Sequence, residues 1–216
     1  MPFVPFRRPG RPGDPHAARP DAAALVQRIV QGDAAALDAV YRAEAGPVYR
    51  YALALCANPA WAADATQDAF VALALRPGGF DATRGTLGAY LAGVARHALA
   101  ARWRQAGHEC PLEVSPEPAS DPDGDDTTPT SGAAGAYATS PEALLVRRQD
   151  GAAIWQALHA LPAVFREALV LVDMQERPYA EAARIAGIEL NTLRTRVHRA
   201  RLKLAAALGT LRGEIA

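Results

Sequence analysis

Arg194, Arg196, Arg199, Arg201 and Lys203 crowd into NTLRTRVHRARLKL, residues 191–204, a run with no acid. The whole chain of 216 residues is nevertheless neutral, with 23 basic and 23 acidic side chains. Covalent chemistry has little to work with elsewhere. The five histidines are scattered, and no phosphate loop, metal-ligand set or nucleophile–base pair stands out. The triplet His108-Glu109-Cys110 is too few ligands for a metal site and reads as loop. Cofactors are therefore not expected. The chemistry on offer is recognition of an anion by guanidinium groups.

On a helix at about 100° per residue, Leu193, Val197, Ala200 and Leu204 form one stripe that must face a core. The bases flank it. Arg194, His198 and Arg201 line one side, and Arg196, Arg199 and Lys203 the other. Asn191, Thr192 and Thr195 take the outer surface of the amino end. A merely solvated helix would interleave acids for i,i+4 support, and here they are missing. Arg pairs with guanine edges and Asn with adenine in the major groove, while further bases meet phosphate. The run therefore reads as a DNA-contacting helix.

Such a helix needs elements to aim it. Upstream, Ala182, Ile185 and Ala186 share one side of a short helix. Gly187 is placed to end that helix in a left-handed turn, and Asn191 or Thr192 can cap the next. Short helix, glycine turn and basic helix form a helix-turn-helix. Ahead of it, Ile154, Ala157, Leu158 and Leu161 mark one helix. Pro162 opens another that carries Phe165, Leu169 and Val172.

The first half is also helical. Leu25, Ile29 and Val30 recur at helical spacing, then Gly32-Asp33 breaks the pattern before Leu37, Val40 and Tyr41. Asn58-Pro59 starts a helix that runs to about Leu75. Thr86 can cap the next, where Leu87, Tyr90, Leu91, Val94 and Ala98 form a stripe despite Gly88 and Gly93. In AADATQDAFVALAL, Asp64, Gln67, Asp68 and Val71 share a face while Phe70 and Leu73 point elsewhere, inward. By spacing alone that face reads first as a solvated surface and second as a protein-docking surface.

Between the halves, residues 105–146 hold no Lys or Arg, but do hold Glu109, Glu113, Glu117, Asp121, Asp123, Asp125 and Asp126 among Pro, Gly, Ser and Thr. That composition cannot bury enough surface to offset chain entropy and reads as a tether. It also explains the overall neutrality. The first residues, MPFVPFRRPGRPGDPHAARP, are basic and broken by prolines, with no hydrophobic core of a secretory signal. Cys56 reads as a small core residue, and the two cysteines make no disulfide framework. The expected organisation is all-α: a tail over 1–21, a helical domain over 22–105, an acidic linker over 106–140 and a helix-turn-helix domain over 141–210. The protein is expected to be soluble and cytoplasmic, with no membrane partner.

These features together resemble an RNA polymerase sigma factor of the extracytoplasmic-function group. DATQDAF resembles that family's D-x-x-Q-[DE]-x-F element. FDATRGTLGAYLAGVARHALAARWRQ resembles the melting and −10 segment of its region 2. Residues 161–204 resemble region 4 almost from end to end. The likeness covers roughly 22–104 and 141–208. It implies two helical domains, no enzymatic activity, and partnership with core polymerase, promoter DNA and an anti-sigma factor. It also implies roles. Asp64, Gln67, Asp68 and Phe70 match the element that docks on the β′ clamp, and region 4 would touch the β flap. Tyr90, Arg96, His97, Arg102 and Arg104 match the −10 side. Tyr179, Asn191, Thr192, Arg194, Thr195, Arg196, His198, Arg199 and Arg201 match the −35 side.

Some positions depart from the family. Gly88 and Gly93 replace bulkier residues, His97 stands where asparagine is common, and Asn191 replaces a common glycine. Trp103 is expected to cover the core. Two alternatives remain at this level: a sigma-like decoy that titrates an anti-sigma factor, and a plain helix-turn-helix regulator.

Overall fold

The computed structural model describes residues 6–7, 22–107, 110–112, 132–133 and 153–213, with side chains described to 209. The basic tail, His108-Glu109, most of the acidic segment and the start expected for the second domain lie outside the described residues. The extended backbone among them is a two-residue parallel pair, Phe6–Arg7 beside Gly132–Ala133. The other described residues are helix, turn and short connections.

Four helices build the first bundle. They are α1 (Ala22–Val30), α2 (Ala34–Cys56), α3 (Pro59–Leu75) and α4 (Leu87–Gln105). Three of them, α2, α3 and α4, begin at a side-chain cap. The Asp33 carboxylate accepts from the amides of Ala35 and Ala36, the Asn58 side chain from those of Ala60 and Trp61, and the Thr86 hydroxyl from that of Ala89. Gly32 at φ 82° makes the turn between α1 and α2 that a side chain would strain. A short 3-10 turn, Pro77–Gly79, closes α3. Since Asn58 serves two otherwise orphaned amides, Asn58→Ala is expected to lower stability by about 1 kcal/mol in chemical denaturation.

The bundle's centre is built largely from alanine and leucine. Val48, Tyr51, Ala52, Ala54, Ala62, Ala65, Leu73, Leu91, Ala95 and Leu99 are buried. Small side chains let α2, α3 and α4 approach closely. Trp103 is 8% exposed and stands edge-on to Trp61, so it does cover the core. Cys110 and Leu112 are also buried, so the chain stays on this core past the residue where the acidic segment was expected to begin. Cys56 is only half-buried, at the rim rather than in the core, and its thiol donates to the Asn58 carbonyl.

The second bundle holds α5 (residues 153–160), α6 (Ala163–Leu169), α7 (Tyr179–Ala186) and α8 (Leu190–Gly213). From α6 the backbone runs straight into a wider π turn, Val170–Met174, where the Gln175 amide reaches back to the Val170 carbonyl. Gly187 ends α7 at φ 69°, ψ 34°, the left-handed cap anticipated from sequence. Helix α8 starts one residue earlier than the expected cap. Asn191 and Thr192 therefore sit inside its first turn, and the Leu193 amide bonds to the Glu189 carbonyl. Leu193, Val197 and Ala200 are buried to 1% or less, as their spacing requires.

The two bundles pack on each other. Helix α2 contacts α6, and α4 contacts α7. Gly88 is buried in α4 at this junction, and a Cβ there would come within 2.5 Å of a Glu44 carboxylate oxygen and 3.6 Å of an Arg177 nitrogen. The missing side chain at 88 thus has a physical reason. Nothing lies within 4 Å of a Cβ built on Gly93, and the structure gives no reason for that glycine.

Candidate functional site

Three surfaces bear the expected recognition residues. The first lies along α3. Asp64, Gln67, Asp68 and Val71 are exposed on one face, while Ala65, Thr66, Ala69, Phe70 and Leu73 are turned in. Beside that face runs an open groove of about 790 Å³ between α2 and α3, walled by Tyr41, Ala45, Gly46, Tyr49, Gln67, Phe70 and Val71 among others. Phe70 is 6% exposed and its ring lies 4.9 Å from that of Tyr41. It shapes the groove wall instead of projecting to a partner. Tyr41 and Val71 are about half exposed, so they add apolar area beside the two acids. Sequence reasoning placed Tyr41 in the hydrophobic run of its helix. Its exposed half could be found only once α2 and α3 were set together.

The second surface follows α4 and the loop before it. Phe80 and Tyr90 stack edge-to-face, and His97 is exposed on a groove of about 390 Å³. Gly79, Thr86, Tyr90, His97, Glu181 and Arg184 line this groove, so it lies between the −10 side expected from sequence and α7. Arg102 bridges to Asp64 at 3.0 Å, which joins two residues expected to serve different partners. That pair is solvent-exposed enough to be worth at most about 1 kcal/mol, so a partner could part it readily. Arg104 is exposed.

Arg96 is placed otherwise. Its side chain is only 12% exposed, and its Nε donates to Glu167 Oε1 at 2.8 Å. The Tyr51 hydroxyl donates to the same oxygen at 2.7 Å. Glu167 is fully buried, and its second oxygen has no hydrogen-bond partner. Burial pushes this carboxyl above the usual range, against the pull of Arg96 and Tyr51. The Tyr51 phenol is pushed well up, first by burial and then by Glu167. An arginine expected to meet DNA thus faces a carboxylate of the second bundle in this structure.

The third surface is α8. Asn191, Arg194 and His198 are exposed along one side, with Thr192, Thr195, Arg199 and Arg196 partly covered. Arg194 Nη1 donates to the Asn191 side-chain oxygen at 3.3 Å, and the Thr195 hydroxyl donates to the Asn191 carbonyl. Two bases are less available than their spacing suggested. Arg201 forms a two-point pair with Asp173 of the π turn, at 2.6 and 3.1 Å, and also meets Tyr179. The hydrogen bonds that Arg201 donates to Asp173 raise its pKa. Arg196 is partly desolvated, which lowers its pKa, while Glu167 works the other way. The acid missing from α8 in sequence is therefore supplied through space, 28 residues earlier. Lys203 stands 5.5 Å above the Phe165 ring. Among the described residues no group of His, Cys, Asp and Glu could hold a metal ion, and no helix is long and apolar enough to cross a membrane.

Comparison with known proteins falls on the same segments. The family model described as "Sigma-70 region 2" matches residues 40–109, and the one described as "Sigma-70, region 4" matches residues 151–204. The ECF RNA polymerase sigma factor SigE of Mycolicibacterium smegmatis is 32% identical over 183 residues, covering 80% of this chain and 63% of its own length. SigM of Mycobacterium tuberculosis, another ECF RNA polymerase sigma factor, is 44% identical over 59 residues, or 27% of this chain and 30% of that protein. The chain thus spans less than two thirds of the curated relatives it matches. Among solved structures, CnrH in complex with the cytosolic domain of CnrY aligns with a TM-score of 0.59 at 19% identity, over 88% of this chain and 97% of the other. The sigma factor RpoE in complex with the anti-sigma factor NepR, from Bartonella quintana, aligns at 0.55 and 22%, over 78% and 94%. These two show the shared fold.

Proposed function

Because the chain belongs to the sigma-70 family, in its extracytoplasmic-function group, we propose that it binds core RNA polymerase and directs it to promoters. The observation that carries this reading is a division of labour between the matched regions. Region 2 leaves an acid-edged apolar groove unfilled along α3, and region 4 turns an arginine-flanked helix to solvent. The groove, with Asp64, Gln67 and Asp68 on its rim and Phe70 in its wall, receives the polymerase β′ clamp. Region 4 touches the β flap.

Helix α8 enters the −35 major groove by its amino end. Asn191, Arg194 and Thr195 then face base edges, Arg194 able to donate two bonds to a guanine. Thr192, Arg196, His198 and Arg199, with Tyr179, lie along the phosphates, and Arg201 joins them when it leaves Asp173. On region 2, Tyr90, Arg96, His97, Arg102 and Arg104 hold the melted −10 strand. Opened bases find stacking and hydrogen bonds there that a duplex cannot offer. Activity of this kind needs no covalent step and no cofactor. It takes place in the cytoplasm, where the polymerase is. The domain limits follow the sequence reading: region 2 over 22–105 and region 4 over 141–210, joined through the acidic segment. The RpoE and CnrH complexes favour an anti-sigma factor as a further partner.

Asp64→Ala with Gln67→Ala tests the docking face. Both side chains are exposed, so the fold should survive. Loss of two interface contacts should weaken co-elution with core polymerase by about tenfold or more. A double variant that keeps full function would instead indicate a plain helix-turn-helix regulator.

A further inference from the structure

We infer that region 2 carries a second base pocket, between α1 and the 3-10 turn, that takes the unpaired nucleotide next to the −10 element on its start-site side. The inference rests on the −10 role assigned above to Tyr90 and His97, and extends it. Phe80 is the residue that links the two. Its ring stands edge-on to Tyr90 and walls the groove that His97 lines. It also walls a smaller hollow of about 160 Å³, together with Val26 and Val30 of α1 and with Pro77 and Gly78. Two adjoining grooves thus share one aromatic wall.

The hollow suits a flat apolar ring. Val26 is buried, and Val30 is 61% exposed, an apolar side chain left at the rim. The 3-10 turn makes a stiff wall. Pro77 fixes its own φ, and the amides of Gly79 and Phe80 bond back to the carbonyls of Arg76 and Pro77. A Cβ built on Gly78 meets nothing within 4 Å, so the hollow is open where this glycine stands. Unpaired bases expose apolar faces that gain by leaving water for such a surface.

The surrounding charge fits a nucleotide. Arg76 precedes Pro77, Arg84 lines the larger groove, and both are exposed. Asp81, the acid between them, is occupied by the Thr83 amide and hydroxyl, at 2.9 and 2.7 Å. Two guanidinium groups therefore flank the path past Phe80, where a strand's phosphates would run. Direction follows from melting. Upstream of the −10 element the DNA is spacer duplex leading to region 4, so the unpaired neighbour lies toward the start site. Gln27 is the one polar side chain among the residues lining the hollow, and it is exposed. Its amide can both donate to and accept from a base edge, which sets a preference at that position.

The test uses holoenzyme, core polymerase with the full chain, on a promoter found by start-site mapping. Abasic sites are placed one at a time in the non-template strand, through the −10 element and over the first few nucleotides downstream. Each keeps the phosphates and removes the ring. One downstream position should lose roughly tenfold in open-complex affinity, within the range that base–aromatic stacking supports. Gly78→Trp fills the hollow from open space. It should lose the same tenfold on intact DNA and show no further penalty at that abasic position. Its co-elution with core polymerase and its penalties inside the −10 element should persist, as a folded region 2 requires. Gln27→Ala should flatten base preference at the same position. Penalties inside the −10 element with none downstream overturn the second pocket and leave the promoter reading standing. A downstream penalty retained in full by Gly78→Trp overturns it as well. No open complex on any template would sink the promoter reading itself, and the pocket with it.

Discussion

Raising monovalent salt from 50 to 200 mM should weaken binding of the chain to promoter duplex roughly 40-fold. The figure follows from counterion release. About three neutralised phosphates give a slope near −2.7 in the log–log plot, and a fourfold rise in salt then removes about 1.6 decades. The sequence alone suggests a steeper dependence, because five bases crowd into 191–204. The structure lowers that count. Arg201 is held by Asp173, and Arg194, turned toward Asn191, is assigned to a base edge. Asp173→Asn should release Arg201 to the phosphates and steepen the slope by about 0.9. Fluorescence anisotropy across a salt series measures both. A flat affinity would refute the arginine argument, and an unaltered slope in Asp173→Asn would remove Arg201 from the contact.

Leu193→Ala should destabilise region 4 by about 2–5 kcal/mol, through lost apolar burial and the cavity left behind. Leu193 is fully buried in the first turns of α8, on the stripe that holds this helix against the domain. Domains of this size have only about 5–15 kcal/mol to lose, so a sizeable share of molecules would release α8. Promoter affinity should fall together with stability. Leu202 lies on the same helix but is 61% exposed, and Leu202→Ala should change stability by less than about 0.5 kcal/mol. Urea titrations of the two variants compare them directly. Equal midpoints would mean that the stripe does not anchor the helix.

Much of this fold could be read locally. Asn58, Thr86 and Gly187 each act through a short-range backbone bond, so their caps were visible in sequence. The alternation along α3 also survives intact, with Asp64, Gln67 and Asp68 out and Phe70 and Leu73 in. Helical period alone decides that. Through-space features were hidden. No pattern in 161–176 announces the π turn, and the Asp173–Arg201 pair spans 28 residues. Glu167 is one polar position in an apolar helix, and nothing in the local pattern singles it out. Only the packing of α6 on α2 brings it to Tyr51 and Arg96. Asn191 or Thr192 was expected to cap α8, but the helix starts at Leu190, and the Asn191 side chain accepts from Arg194 instead. Nor does local pattern single out Cys110 and Leu112, whose burial depends on partners distant in sequence.

Transcription-start mapping with reconstituted polymerase tests the central claim most directly. Core enzyme lacking any other specificity subunit is mixed with the purified chain, in the absence of inhibitor, and supplied with a genomic template pool. The account predicts initiation at a limited set of positions sharing common −35 and −10 elements, all dependent on the added chain. Firm binding to core enzyme with no start site above the polymerase-alone background would contradict it, and would make this sigma-like chain a titrating decoy.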